Sequence, residues 1–437
     1  MTEQMNVPKL RFGGFSGGLL VTRLSEIINK LESGVSVNSE DVPPNSNENG
    51  ILKTSAIYAG SFNPEQAKVI TDSSELQRAK LNPKKDSIII SRMNTPTLVG
   101  ESGYISKDYP NLFIPDRLWQ ATVSSQHCAR WLSFLLTSPR TRFIISSKGT
   151  GTSNSMKNIS KPSFLSIDAV TPTLLEQQKI ASFLSKVDEK IGLLSEKKDK
   201  LTEYKRGVMQ QLFNGEWHEQ DGQLTFVPPT LRFKADDGSE FPDWEEKTLI
   251  ELAAQGLSNG VFNDPKRIGK GYRLINVKDM YSGNFIDTST LSLLDLNEKE
   301  FSKNQVKYGD IFFTRSSLVP SGIAYSNVNL SNDDDITYDG HLIKFSPKLD
   351  MMSPYYFANY LRSYSSRKSF ISRGKQSTMT TIGQEDIKDI SFLIPSLDEQ
   401  TKIADLLLAL DQKIDFTNSE LENAKEWKKG LLQQMFV

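Results

Sequence analysis

Two stretches of the chain place a seam residue at steps of four and three, over and over. The first runs Ile180, Leu184, Val187, Ile191, Leu194, Lys198, Leu201, Lys205, Val208, Leu212. The second runs Ile403, Leu407, Leu410, Ile414, Thr417, Leu421, Ala424, Lys428, Leu431, Met435. A seven-residue repeat held this long predicts a helix with a narrow apolar stripe, the pattern of a coiled-coil seam. At 1.5 Å per residue each helix is about 60 Å long. Such a stripe is marginal alone in water, so it must be buried against a partner, and the other copy is the obvious one. Lys198 and Lys205 interrupt the first seam; polar seam residues lower stability but fix register. Gly207 and Gly430 stand inside the helices, each costing roughly 1 kcal/mol against alanine. Close approach of another backbone, or a fraying helix end, would account for them.

The two helices are copies at an offset of 223 residues. Glu176-Gln177-Gln178-Lys179-Ile180-Ala181 returns as Glu399-Gln400-Thr401-Lys402-Ile403-Ala404, and Gln210-Gln211-Leu212-Phe213 as Gln433-Gln434-Met435-Phe436. Of the 38 positions between Glu176 and Phe213, 15 are identical to their partners. Upstream the same offset pairs Pro172 with Pro395, Asp116 with Asp339, and Tyr58-Ala59-Gly60 with Tyr281-Ser282-Gly283. It also pairs Ile88-Ile89-Ile90-Ser91-Arg92 with Ile311-Phe312-Phe313-Thr314-Arg315, short apolar runs that predict buried strands. Strand-like runs at 167–170 and 390–394 end at the two prolines. Helical patterns at 127–145 and 354–371 each lead into a Ser/Thr/Gly loop, 149–155 and 374–381.

The expected fold is therefore α+β, with two mixed α/β domains of about 150 residues, two long helices paired antiparallel, and a pseudo-twofold internal repeat. Residues 1–172 form the first domain and 173–214 its helix. A polar linker lies within 215–244, where Pro229-Thr230-Leu231-Arg232-Phe233 restates Pro8-Lys9-Leu10-Arg11-Phe12. Residues 245–395 form the second domain and 396–437 its helix. Outside the shared anchors the domains have diverged, as expected when scaffolding is common and binding specificity differs.

Composition narrows the chemistry. Hydrophobic content of 37% and charged content of 24% suit an ordinary soluble protein. Cys128 is the only cysteine and His127, His218 and His341 the only histidines, which excludes an internal disulfide and argues against a metal centre. With no apolar signal core and no window near 18 apolar residues, the cytoplasm is the expected compartment and no membrane is involved. A net charge of −1 exerts no global pull on phosphate. Locally, Arg140, Arg142, Lys148, Lys157 and Lys161 match Arg362, Arg367, Lys368, Arg373 and Lys375 in repeat position. Such runs are either solvated faces or phosphate contacts.

No catalytic constellation is legible. Gly374-Lys375-Gln376-Ser377 lacks the upstream glycine and adjacent hydroxyl of a phosphate loop. Asp41-Val42-Pro43-Pro44 has the wrong order for an amino-methyltransferase and no aromatic residue. Pro242-Asp243 with Glu245-Glu246-Lys247 is too compact for a nuclease metal site. His127 and Cys128 are helix neighbours that point apart, so Cys128 is expected in the core.

Leu-Arg-Phe near the start and the duplicated Pro-x-Leu-x-Glu-Gln-x-Lys-Ile-Ala helices closing in Gln-Gln-x-Phe resemble the specificity subunit of type I restriction-modification systems. The resemblance spans essentially the whole chain. One departure is Phe15-Ser16-Gly17-Gly18, where the second copy has Phe241-Pro242-Asp243-Trp244. The resemblance implies two target-recognition domains separated by an antiparallel coiled coil, each reading half of a split site in double-stranded DNA. It implies two modification subunits that bring S-adenosylmethionine and methylate adenine, and two restriction subunits that use ATP and Mg. This chain would then be non-catalytic and bind no cofactor. The competing readings are a self-contained methyltransferase or nuclease, and a purely structural coiled-coil scaffold.

Candidate DNA contacts are Arg92, Lys148, Thr152, Ser153 and Lys157 in the first domain, with Arg315, Arg373, Lys375, Gln376 and Ser377 in the second. Arginines can fork onto guanine, and small polar loops fit groove edges. For Arg92 and Arg315 an equal alternative is framework ion pairing with Asp116 and Asp339. Seam and partner contacts are expected from Ile180, Leu184, Val187, Ile191, Ile403, Leu407, Leu410 and Ile414.

Overall fold

The computed structural model describes residues 7–153, 156–213, 215–220, 223–227, 229, 231–376 and 378–436. The two heptad stretches are single unbroken helices, Leu174–Phe213 and Leu397–Met435. The chain divides into two compact units, Met1–Ser195 with Ser419–Val437, and Glu196–Asn418. Each unit thus holds the first half of one long helix and the last part of the other.

The two units repeat the same sheets. A four-stranded antiparallel sheet runs Ile28–Ser33, Leu118–Val123, Ser87–Ser91, Ser102–Tyr104 in the first, and Ser258–Asn259, Leu342–Phe345, Ile311–Thr314, Ser326–Val328 in the second. Its central strand is the apolar run of the sequence, and Ile88–Ile90 and Ile311–Phe313 have no exposed surface. A two-stranded ribbon joins Leu20–Arg23 to Asp168–Thr171, and Glu245–Thr248 to Ser391–Ile394. The second strand of each ribbon ends at Pro172 or Pro395, and the long helix starts two residues later. Proline cannot extend a ladder but tolerates the start of a helix.

Within each unit the long-helix segments run antiparallel. In the second, Lys198 Nζ donates to Asn418 Oδ1 at 2.7 Å, and Lys205 Nζ lies 2.5 Å from Asp411 Oδ1. In the first, Lys428 Nζ lies 2.6 Å from Asp188 Oδ1, and Phe183 meets Trp427 edge to face at 6.0 Å. Lys205–Asp411 and Lys428–Asp188 are repeat equivalents. The seam lysines are therefore paired across the helices rather than left as interruptions. Ile180, Leu184, Val187, Ile403, Leu407 and Leu410 are buried, each set in the core of its own unit. Ile191 and Ile414 are half-buried.

Several expectations change. The helical patterns at 127–145 and 354–371 are each two helices, Ala129–Thr137 with Pro139–Lys148, and Pro354–Leu361 with Tyr364–Ser372. Pro139 forces the break in the first, because the residue before proline is pushed to extended backbone, as Ser138 is at ψ 145°. In the second, Ser363 takes extended backbone and caps the new helix by accepting from the Ser366 amide. Cys128 is a half-buried N-cap residue, not part of the helix interior. The polar linker contains an antiparallel hairpin, Glu216–Gln220 with Gln223–Val227. The predicted loops 149–155 and 374–381 also carry hairpin strands, Thr150–Ser153 with Met156–Asn158 and Lys375–Gln376 with Thr380–Thr381. A Cβ at Gly207 or Gly430 would meet nothing within 4 Å, so close backbone approach does not explain these glycines.

The Lys205–Asp411 pair is nearly closed to solvent, with 13% and 4% of the side chains exposed, and Asp411 also accepts from the Tyr355 hydroxyl. Asp411→Ala removes the counter-ion of a largely buried ammonium, leaving it only Asn284 Oδ1 at 3.5 Å, and is expected to cost about 3–5 kcal/mol in urea unfolding. Lys205→Met with Asp411→Asn keeps the tyrosine partner and is expected to recover most of that loss.

Candidate nucleic-acid interface

The shared motif residues form the joint between each long helix and the domain that precedes it. Glu176 takes a two-pronged contact from Arg11, 2.7 and 2.8 Å, and Glu399 the same from Arg232, 3.0 and 2.7 Å. Both glutamates are almost fully buried, so each needs its guanidinium to offset desolvation. The adjacent glutamine works between segments. Gln177 donates to the Pro172 carbonyl at 2.9 Å and accepts from the Cys128 amide at 2.9 Å. Gln400 does likewise with the Pro395 carbonyl and the Ser353 amide, both at 2.9 Å. Cys128 and Ser353 are N-cap residues, so the glutamines satisfy amides that a helix start leaves open. The segments carrying Leu-Arg-Phe also dock on long-helix ends, Leu10 N on Gln434 O at 3.0 Å and Leu231 N on Gln211 O at 3.3 Å. Phe12 meets Phe183 at 5.5 Å, so the first leading segment is packed despite its missing tryptophan. In the second copy Trp244 adds an Nε1 bond to Glu399 Oε2 at 3.3 Å.

Two small three-stranded sheets hold five of the ten candidate contact residues, Thr152, Ser153, Lys157, Lys375 and Gln376. In the first unit the sheet is Thr150–Ser153, Met156–Asn158, Met93–Asn94; in the second it is Lys375–Gln376, Thr380–Thr381, Ser316–Ser317. Arg92 is anchored, with Nε to the Asp116 carbonyl at 2.7 Å, Nη2 to the Asp116 carboxylate at 3.3 Å and Nη1 to Asn158 Oδ1 at 3.4 Å. A Ser36 hydrogen bond, and then this arginine, hold the Asp116 carboxyl below the usual carboxylate range. Lys157 donates to the Ser146 carbonyl at 3.4 Å and Lys148 to Ser166 Oγ at 3.3 Å. Thr152 and Ser153 lie in a strand; their side chains, and all of Ser377, are outside the described residues.

In the second unit Arg315 is exposed and donates to the Gly340 carbonyl at 3.0 Å. It is not the partner of Asp339, whose carboxylate instead accepts from His341 Nδ1 at 2.7 Å. Gln376 and Arg373 are exposed, with Arg373 reaching the Asp386 carbonyl at 3.2 Å. Lys375 is 72% exposed and 2.7 Å from Asp386, and its hydrogen bond lowers the Asp386 pKa.

The basic runs do not form continuous phosphate-facing strips. Arg362 is spent on the Ser326 and Asn284 carbonyls, both at 3.0 Å, and on Asn327. Arg367 reaches three carbonyls of residues 321–324, and Arg142 pairs with Glu101 at 3.3 Å. Burial lowers the pKa of all three guanidiniums. Lys161 donates to the Leu31 carbonyl at 2.7 Å. Sequence reasoning missed a polar group beside Arg315, where Gln384 donates to Asn259 and Asn259 Nδ2 to Leu342 O at 3.2 Å. No periodicity marks residues so far apart.

Residues 20–203 and 242–426 each match the sequence profile of the type I restriction modification DNA specificity domain. The chain is 24% identical over 296 residues to the type I restriction enzyme MjaVIII specificity subunit of Methanocaldococcus jannaschii, covering 66% of this chain and 65% of that protein. It is 21% identical over 276 residues to the EcoBI specificity subunit of Escherichia coli, covering 61% and 56%. The chain thus spans less than two thirds of the length of these relatives. Among solved structures, the type I restriction-modification S subunit from M. genitalium matches with a TM-score of 0.56 at 16% identity, covering 99% of both chains. A chain from a structure of type I R-M complex assembly and conformational transition matches at 0.53 and 15% identity, covering 96% of this chain and 98% of that one. At these identities the structural likeness concerns the fold.

Lys375→Ala is expected to weaken binding of target and unrelated duplex alike and to lower the slope of log K against log salt by about 1. Gln376→Ala is expected to weaken target binding relative to unrelated duplex. Fluorescence anisotropy at two salt concentrations measures both. Arg92→Ala is expected to appear first as lost thermal stability, since it undoes the Asp116 anchor.

Proposed function

The chain belongs to the type I restriction modification DNA specificity family, and we propose that it is the non-catalytic DNA-reading subunit of a type I restriction-modification complex. Residues 1–172 and 245–395 each read one half of a bipartite, asymmetric site. The helices at 173–214 and 396–437 form the frame, with 215–244 joining the copies. One observation carries this reading: the same sheets and joints recur in the same order around helices repeated at an offset of 223 residues, while the residues on the small three-stranded sheets differ. Identical domains would read a palindrome; diverged domains on a repeated frame read two unrelated half-sites.

The chemistry is assigned to partners. Two modification subunits bring S-adenosylmethionine and methylate adenine N6 after flipping it from the duplex. Two restriction subunits use ATP and Mg to translocate and cleave DNA. No helix among the described residues is long and apolar enough to cross a membrane.

Mapping methylated adenines genome-wide, with and without this chain, is expected to reveal one split motif that disappears with the chain. Replacing residues 245–395 by the matching domain of a relative is expected to change one half-site only. A change in both half-sites would contradict the modular reading, and an unchanged methylation map would contradict the function.

A further inference from the structure

Beside each small three-stranded sheet lies a turn that an arginine fastens from the domain side. In the first unit the turn follows Met93–Asn94. Arg142 Nη2 donates to the Thr97 carbonyl at 2.9 Å, Ser146 Oγ to the Pro96 carbonyl at 2.8 Å, and Glu101 pairs with the same guanidinium at 3.3 Å. In the second unit the turn follows Ser316–Ser317. Arg367 Nη1 donates to the Ala324 carbonyl at 2.5 Å, and Nη2 to the Ser321 carbonyl at 2.9 Å and to the Ile323 carbonyl. Ala324 occupies the repeat position of Glu101 and stands at φ 48°, so backbone carbonyls replace the carboxylate. Such a backbone angle in a residue with a Cβ persists only where the surroundings enforce it.

The fastened turns carry different tips. The repeat offset sets Thr95 and Thr97 against Leu318 and Pro320. Leu318 is 82% exposed and Val319 55% exposed. A slack turn would fold such side chains onto the domain to gain burial; here Arg367 holds the backbone behind them. The same sheet presents the exposed side chains of Lys375 and Gln376, with Lys375 also pairing to Asp386, and the exposed Arg315 immediately precedes its Ser316–Ser317 strand. An apolar tip among cations suits a DNA duplex, in which phosphates flank a groove whose one protruding apolar group is the thymine C5-methyl.

Building on the proposed function, we propose that Leu318 and Val319 read a thymine methyl in the major groove of the half-site belonging to residues 245–395. Arg367 acts as a positioning residue behind them. The turn at Thr95–Thr97 is the equivalent element of the first domain, with Thr95 at the position of Leu318 and Pro96 at that of Val319.

The test selects binding sites for the full chain, and for Leu318→Ser with Val319→Ser, from a pool of random-sequence duplexes. The wild-type consensus is then remade with uracil for each thymine in turn. The double variant is expected to keep one half-site and lose a single T·A preference in the other. Uracil at that position is expected to weaken wild-type binding about fourfold, the ratio for one methyl group withdrawn from water, and to leave the variant unaffected. An unchanged consensus and affinity in the variant, or a wild type indifferent to uracil at every thymine, overturns the proposal. The uracil series uses unaltered protein, so it decides the matter even if the variant misfolds. A wild type that enriches no sequence at all would instead overturn the DNA-reading function, and this proposal with it.

Discussion

A buried carboxylate at the start of each long helix is the constraint on which the rest of the structure hangs. Glu176 and Glu399 are 1% and 0% exposed, and a lone carboxylate so placed would be far too costly to keep ionised. Each is satisfied by a two-pronged arginine from the segment that opens its repeat, Arg11 or Arg232. That demand draws the leading segment onto the helix. The neighbouring Gln177 and Gln400 then tie the helix to a strand end and to the N-cap of a helix in the preceding domain. Two consecutive side chains thus fasten the leading segment, the ribbon end and the N-cap of Ala129–Thr137 or Pro354–Leu361 to the helix start of the same unit.

The second constraint acts along the helices. Lys205–Asp411 and Lys428–Asp188 place opposite charges at repeat-equivalent positions, and a shift of one helix turn would leave a charge facing apolar neighbours. Buried ion pairs add little net stability, but they penalise wrong registers strongly. The frame therefore takes its strength from the apolar core around Leu184 and Leu407 and its alignment from the paired charges. Neither task involves the exposed sheet residues, which are free to diverge.

Much of this was legible in the sequence, for a physical reason. Heptad spacing, a Glu-Gln pair after proline and short apolar runs are local signals, and duplication printed each of them twice. Over residues 127–145 apolar periodicity carries across Ser138 and predicts one helix, whereas Pro139 divides it into two. The arginine runs misled more seriously. Arg142, Arg362 and Arg367 read as surface charge, yet each turns inward to carbonyls or a carboxylate tens of residues away. Which way a long side chain turns depends on acceptors that only the fold brings near. The fastened tips at Thr95 and Leu318 carried no motif at all, although lining up the repeats places them opposite one another.

The central claim is that the duplicated frame sets geometry while the diverged sheets set sequence. Glu399→Gln removes the charge of one joint at nearly constant shape, and selection of this variant from random duplexes tests the claim most directly. The expected result is a lower melting temperature with both half-sites of the consensus unchanged. A consensus altered in either half-site would show that the joint itself carries sequence information, and would contradict the division of labour.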